Sequence, residues 1–160
     1  MSTDSGVKER IERLIVDSAM FIDRDELDAW MDCFEQDARY IVMPRENRNL
    51  RLPVGIIHCE NKARIEDRIL CLRHANKYNP HFDRHIVSLP RVLSMEDGIA
   101  SVETNFMIVQ TNKTGESRLF CVGVYEDKIR VGKEKEAAKF VERIAVLDTF
   151  SVPTMLATPV

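Results

Sequence analysis

The periodicity of the apolar residues changes once along this chain of 160 residues. In the first half they recur every three to four positions, as on one face of a helix, and from Asp83 onward they recur at every second position, as on one face of a strand. The first such helical stripe comprises Val7, Ile11, Leu14, Ile15, Ser18, Ala19 and Ile22. Helices followed by a long run of strands predict an α+β fold.

Two further helices are predicted in the first half. Residues that share one side of a short helix are Leu27, Trp30, Met31 and Phe34, and Asp23 or Asp25 is the expected cap at its start. A third helix is predicted over residues 61–75, with Asn61 as its N-cap. A strand at residues 38–43 separates the two, and Pro44 ends it.

The second half predicts a meander of strands at residues 84–93, 100–109, 119–129 and 139–149. The connections between them are short, which favours hairpins and an antiparallel sheet. Residues 47–53 and 130–138 are expected to be loops. Because each helix has a single apolar face, three N-terminal helices should pack on one face of the curved sheet. We therefore predict one cone-shaped domain over residues 1–160, with room for a pocket between the layers.

Composition and the length of the apolar runs exclude several classes of protein. The formal net charge of −3 at pH 7 excludes a strongly basic nucleic-acid-binding protein. No apolar run approaches the ~18 residues of a membrane span, and the first ten residues lack the features of a signal peptide, so we expect a cytoplasmic protein that contacts neither nucleic acid nor membrane. The four cysteines form no C-x-x-C pair and indicate buried thiols in a reducing compartment.

The chain contains two groups of possible metal ligands. Cys71 and His74 have the spacing of one half of an iron–sulfur motif, but His58 and Cys59 are adjacent and reversed where the other half should stand. The simpler interpretation is a core cysteine beside a surface histidine. Neither pair is expected to hold a cluster.

Three side chains alternate onto one side of a predicted strand, namely His81, Asp83 and His85, and two histidines with a carboxylate can bind non-haem iron. At ~3.3 Å per residue, the outer two lie about 13 Å apart, which is too far for one metal ion without sharp folding of both rings. We expect no metal in this chain.

General acid–base catalysis is the enzymatic alternative. Small cones of this kind can be dehydratases or isomerases that use a histidine and an aspartate in the pocket. His85 and Asp17 are the candidates for such a dyad. The chain contains no nucleophile motif and no phosphate-binding glycine loop.

Charged residues embedded in apolar stretches, such as Arg84 and Arg143, are either intrachain ion pairs or contacts to a partner. Residues 150–160 form an apolar tail, which should dock on this domain or on a neighbour's.

Four segments, which keep the order of the family along the chain, resemble the small (β) subunits of aromatic-ring-hydroxylating, Rieske-type oxygenases. They are DAWMDCFEQDARY at residues 28–40, IEDR at 65–68, RHIVS at 84–88 and FVERIAVLD at 140–148. Further stretches are similar to the small subunits of two branches. Residues 44–47, 52–53 and 84–94 resemble those of salicylate 5-hydroxylase, and residues 115–128 with the tail around Leu156 resemble those of terephthalate dioxygenase.

This resemblance implies a nuclear-transport-factor-2-like cone without a metal or a catalytic residue of its own. The large (α) subunit of the family carries the Rieske [2Fe–2S] cluster and the mononuclear non-haem iron, and three small subunits form a trimeric base under three large ones, an α3β3 assembly. Aromatic acids such as salicylate or terephthalate are the implied substrates of the complex. Candidate residues for the subunit contacts are Arg68, Arg84, His85, Arg143 and Leu156.

Three hypotheses follow from the sequence. The chain is a non-catalytic assembly subunit of a ring-hydroxylating dioxygenase, a free-standing dehydratase or isomerase with a dyad of His85 and an aspartate, or a binding module that uses its cone for a ligand.

Overall fold

The computed structural model describes residues 5–74, 80–133, 136–149, 151–152 and 156–160. The elements, in chain order, are α1 (Ser5–Asp23), α2 (Leu27–Asp32), β1 (Phe34–Pro44), α3 (Arg45–Asn49), β2 (Ile57–Cys59), α4 (Lys62–His74), β3 (His81–Val87), β4 (Arg91–Glu96), β5 (Ile99–Asn112), β6 (Ser117–Arg130) and β7 (Lys139–Leu147). The predicted α+β class is confirmed.

The apolar stripe of the first helix is the buried face of α1, from Ile11 to Ile22. The start of α4 is also as predicted, because the Asn61 side chain accepts a hydrogen bond from the Arg64 N–H at 3.0 Å, as an N-cap residue does. The predicted end of this helix at residue 75 lies outside the described residues, and α4 is described to His74.

The predicted cap of the second helix is wrong. The residue before α2 is Glu26, which makes no side-chain cap hydrogen bond. Asp25 adopts a positive φ of 61° in the turn between α1 and α2, and the Asp23 carboxylate accepts the backbone N–H of His85 instead. Phe34, predicted on the second helix, begins β1.

The seven strands form one sheet in the order β2-β1-β7-β6-β5-β3, with β4 paired to the other half of β5. The consecutive long strands pair antiparallel, as the short connections predict. The exception is β1, which pairs parallel with β7, so that the sheet is mixed. The two strands lie at opposite ends of the chain, and no hairpin fixes their relative direction.

Three smaller elements differ from the prediction. The segment expected to be a loop at residues 47–53 begins inside α3, and β2 adds a short edge strand against β1. The predicted strand at residues 84–93 is two strands, β3 and β4, which pair with different halves of β5.

Helices α1, α2 and α4 pack on the inner face of the sheet, where most of the core lies. A smaller cluster of Ile41, Met43, Ile144 and Val146 is buried on the outer face, where α3 contacts β1 and β7. None of the helices described in these ranges combines the length and apolar character that a membrane crossing requires.

Candidate functional site

The interior of the cone holds a buried ion pair between Arg143 on β7 and Asp127 on β6. The strand register places the two residues opposite each other. Arg143 donates from Nε and from one terminal nitrogen to the two Asp127 carboxylate oxygens, at 2.9 and 2.8 Å. The other terminal nitrogen lies 3.3 Å from the Ser18 Oγ on α1, so this contact ties the first helix to the sheet.

Aromatic rings enclose the same guanidinium. Its central carbon lies 4.0 Å from the ring centroids of both Tyr125 and Phe140. Phe106 stacks on the far side of Tyr125 at 4.1 Å, and Phe34 lies 5.1 Å beyond Phe140. The stack runs through the middle of the cone, and its members are at most 2% exposed. Cation–π attraction adds to the ion pair here because both are removed from water.

This environment shifts the protonation of the enclosed groups. Burial opposes the charge on Arg143, but the Asp127 carboxylate more than offsets that cost and raises the pKa of the guanidinium above its usual value. Burial raises the pKa of the Tyr125 phenol. The positive charge of Arg143 and its partners thus serve to hold β6, β7 and α1 together.

A second buried pair links His85 on β3 to Asp23 at the end of α1. One Asp23 oxygen lies 2.6 Å from the His85 Nδ1, and the carboxylate also accepts the His85 backbone N–H at 2.9 Å. Because β3 is an edge strand, the His85 N–H has no neighbouring strand to bind on that side. The Asp23 carboxylate accepts this hydrogen bond instead. The His85 Nε2 is buried and makes no hydrogen bond within the described chain.

The predicted partner of His85 is therefore incorrect. Asp17 instead lines a surface cavity of about 880 Å³ between α1, α2 and the start of β7. The strand pattern around His85 agrees with the burial of this residue on β3. It could not indicate which acid of α1 meets the histidine, since that depends on how far the helix is shifted along the sheet.

The candidate metal ligands come together only in part, because the His81 Nε2 lies 3.4 Å from an Asp83 oxygen while His85 binds Asp23 instead. Cys71 is exposed on α4, whereas Cys59 is buried on β2 with its Sγ 3.7 Å from the Arg64 carbonyl. Asp83 accepts hydrogen bonds from Gln110 and Thr158. Among the residues that the structure describes, no three His, Cys, Asp or Glu side chains come close enough to hold a metal ion. The donors of these two groups thus fit neither a cluster nor a mononuclear iron.

The end of the chain docks on its own domain. The Val160 N–H donates to the Tyr40 hydroxyl at 2.9 Å, and that hydroxyl lies 3.3 Å from the Val160 oxygen. Arg68 on α4 donates to the Leu156 carbonyl at 2.9 Å. Residues 150 and 153–155 of the predicted apolar tail lie outside the described residues.

The five predicted contact residues have different environments. Arg84 is exposed on β3, and it makes no ion pair with another described residue. Four others contact their own chain: Arg68 and Leu156 contact each other, His85 binds Asp23, and Arg143 binds Asp127. No sequence pattern indicates Asp23 and Asp127 as the partners of His85 and Arg143, because an isolated acid gives no local signal of its partner.

The outer face of β3, β5 and β6 carries apolar side chains that no described segment covers. Ile86 pairs with Met107 across β3 and β5, and Val109 on β5 pairs with Leu119 on β6. Ile86, Met107 and Leu119 are 50%, 40% and 55% exposed. Contiguous exposed apolar side chains of this kind are typical of protein–protein contact surfaces.

Comparison with known proteins identifies the family. The family model described as "Ring hydroxylating beta subunit" matches residues 17–154. The small subunit of anthranilate 1,2-dioxygenase from Burkholderia cepacia is 38% identical, over 87% of this chain and 85% of that protein. Subunit beta 2 of the terminal oxygenase component of terephthalate 1,2-dioxygenase from a Comamonas species is 36% identical, over 88% of this chain and 90% of that one.

A solved structure of a β subunit has the same fold as this chain. The β subunit of a protein assigned as an aromatic-ring-hydroxylating dioxygenase, from Novosphingobium aromaticivorans, superimposes with a TM-score of 0.86 at 29% identity and covers 96% of both chains. The extent of the sequence match and the superposition lead to one conclusion: the chain belongs to the family of ring-hydroxylating β subunits, with their nuclear-transport-factor-2-like fold.

Proposed function

We propose that this chain is a non-catalytic assembly subunit of a Rieske-type oxygenase that hydroxylates aromatic acids in aromatic catabolism. The observation that carries the proposal is the match of residues 17–154 to the family of ring-hydroxylating β subunits. In the core of the cone, this chain places the Arg143 guanidinium between the rings of Tyr125 and Phe140, with its charge matched by Asp127. Removing that group would unpair a buried carboxylate, so the interior serves stability.

The partner of this chain in the proposal is a large α subunit that holds the Rieske [2Fe–2S] cluster and the mononuclear non-haem iron. Family membership supports such a partner. We further propose that three copies form a trimer within an α3β3 complex in the cytoplasm, and that the single domain spans residues 1–160. The uncovered apolar side chains around Ile86 and Met107 support an assembly in which this face is covered.

The substrate class is proposed from the relatives. Anthranilate and terephthalate, which appear in the names of two relatives, are both aromatic acids. Which aromatic acid is oxidised, and with one oxygen atom or two, depends on the large subunit in this proposal.

Among the five predicted contact residues, we propose a direct contact to a neighbouring subunit for Arg84, whose side chain is exposed. The other four residues bind within their own chain and would support subunit contacts indirectly, because they fix the tail, β3 and β7. They are Arg68, His85, Arg143 and Leu156. The free-standing enzyme is the less favoured alternative, because the relatives of this chain are subunits of dioxygenases and because the His85 side chain is 0% exposed.

Reconstitution tests the proposal. Oxygen consumption and product formation with a panel of aromatic acids would be measured for this chain, for the large subunit from the same gene neighbourhood, and for the two together, each with the electron-transfer proteins. We expect no turnover by this chain alone and the highest turnover by the mixture. Turnover by this chain alone that is lost on His85→Ala would establish the alternative instead.

A further inference from the structure

The cavity that Asp17 lines runs along one face of α1, and we call it the α1 cavity. Residues of α1 from Gly6 to Phe21 form one wall, at the spacing of three to four positions that one face of a helix has. The end of α2, Cys33 and residues 136–139 form the opposite wall. The volume of about 880 Å³ lies in the range of pockets that hold small organic ligands.

The two walls of the α1 cavity offer apolar contact to such a ligand. Leu14 and Phe21 line it from α1, and Ala29 and Ala138 line it from the other side. An aromatic ring that lies between these walls would bury apolar area against both and could contact the Phe21 ring edge to face.

Several charged groups of the cavity are already engaged within the chain. Arg13 pairs with Glu9 along α1 at 3.4 Å, and Asp32 pairs at 3.1 Å with Lys62, which lies outside the cavity. The Glu136 carboxylate accepts a backbone N–H of the loop before β7 at 3.2 Å. These groups have their partners and are not the ones that would recognise a ligand.

Three other charged side chains line the cavity and make no ion pair with a described residue, namely Arg10, Asp17 and Lys139. The Arg10 Nε is moreover buried, and it finds no hydrogen-bond acceptor in the described part of the chain. A buried N–H without an acceptor destabilises the fold. The position of Arg10 is therefore explained by an acceptor that a bound ligand supplies.

The unpaired charges of α1 have opposite signs at a fixed separation. Arg10 and Asp17 are seven residues apart on the same face of the helix, so their Cα atoms are separated by ~10.5 Å along its axis. One ring with substituents at opposite ends can span this distance together with the two side chains. A guanidinium prefers a carboxylate, whereas an ionised carboxylate accepts hydrogen bonds only and requires a donor.

We propose that the α1 cavity is a binding site for a small aromatic acid that also carries a hydroxyl group. The ligand carboxylate binds Arg10, the hydroxyl donates to Asp17, and the ring lies between the apolar walls. Lys139 adds a second positive charge from the opposite wall. The inference goes beyond the proposed function and does not depend on it, because every group of the site belongs to this chain.

Three matched probes test the site by isothermal titration calorimetry of the full-length chain. The first, 4-hydroxyphenylacetate, has both polar groups, phenylacetate lacks the hydroxyl, and 4-methylphenol lacks the carboxylate. We expect saturable binding of 4-hydroxyphenylacetate with one site per chain. Each of the other two probes should bind on the order of tenfold more weakly, because one polar contact is missing.

Two variants assign the contacts to their residues. Arg10→Met should weaken the binding of 4-hydroxyphenylacetate by on the order of tenfold and leave that of 4-methylphenol unchanged. Asp17→Ala should weaken the binding of 4-hydroxyphenylacetate and leave that of phenylacetate unchanged.

A control and a stability measurement separate binding from folding. Arg24→Met removes an exposed charge beyond the end of α1, outside the cavity, and should bind all three probes like the wild type. Because Arg10→Met removes a buried donor without a described acceptor, its urea midpoint should be unchanged or raised. A lower midpoint would show that Arg10 serves the fold, and it would overturn the assignment of this residue to a ligand.

The other outcomes also decide the proposal. No saturable binding of 4-hydroxyphenylacetate at millimolar concentration, equal affinity for the three probes, or equal weakening by Arg10→Met and Arg24→Met would overturn the site. A chain that binds none of the probes yet restores turnover to its large subunit would overturn the site and leave the proposed function standing. Binding followed by turnover of the acid by this chain alone would support the site and refute the proposed function.

Discussion

Arg143 and Asp127 lie opposite each other on β7 and β6 and share two hydrogen bonds of 2.9 and 2.8 Å, with side chains that are 1% and 0% exposed. A charge pair without water is expensive to form, but the loss of one partner is worse, because it leaves the other buried and unpaired. The stability of the cone should therefore depend on both partners together.

Arg143→Met is expected to lower the free energy of unfolding by about 3–5 kcal/mol, because Asp127 loses its counter-ion. Urea denaturation measures this change. The matched control is the double variant Arg143→Met/Asp127→Leu, which should lose much less, since no buried charge remains. A double variant as unstable as Arg143→Met would show that the unpaired Asp127 charge is not the main cause of the lost stability.

The bond between Asp23 and His85 should be structural. Asp23→Ala leaves the buried His85 N–H without an acceptor, and we expect a loss of about 1–3 kcal/mol in urea denaturation. Turnover per assembled oxygenase complex should not change. Asp17→Ala is the control and should leave stability close to that of the wild type. A large fall in turnover without a fall in stability would point to catalysis by the dyad.

The buried tyrosines should make the fold sensitive to alkali. Burial, countered in part by a hydrogen bond to Val160, raises the pKa of Tyr40 to about 12. The folded state therefore keeps the phenolic proton at pH values at which the unfolded chain has lost it. The contribution of Tyr40 to stability should be unaffected below about pH 10 and fall by up to about 1.4 kcal/mol per pH unit between about pH 10 and 12.

Urea denaturation at several alkaline pH values measures this slope. Tyr40→Phe has no phenolic proton to lose at this position, so its slope should be shallower than that of the wild type, although its stability near neutral pH is lower by the lost hydrogen bonds. Equal slopes for the two proteins would contradict the assignment.

The four thiols should differ in reactivity. Burial raises the pKa of Cys33 to about 11 and that of Cys121 to about 12, and it also raises the pKa of Cys59. Cys71 is exposed on α4. Because the thiolate is the reactive form, iodoacetamide near neutral pH should modify Cys71 first. Peptide mass analysis identifies the site, and Cys71→Ser should remove the fast phase. Rapid labelling of Cys33 would contradict the described packing.

The sequence predicted those parts of the fold that short-range patterns encode. The stripe of α1 and the Asn61 cap depend on residues within a few turns of one helix, and the alternation of β5, β6 and β7 depends on strand periodicity alone.

Contacts between distant segments were not predictable in this way. The parallel pairing of β1 with β7 joins segments about a hundred residues apart. The meeting of Arg143 with Asp127 depends on a register that shifts between Lys128 and Ile129. The sequence identified Arg143 as an unusual charge on a strand, but only the register shows which acid it meets.

The central claim is that this chain assembles an oxygenase and does no chemistry itself. Its most direct test is co-expression with the large subunit of the same gene neighbourhood, followed by native mass and iron analysis of the complex and of the isolated chain. We predict a complex of three small and three large subunits in which all of the iron accompanies the large subunit. Stoichiometric iron on the isolated small chain, or failure of the two chains to copurify, would contradict the account.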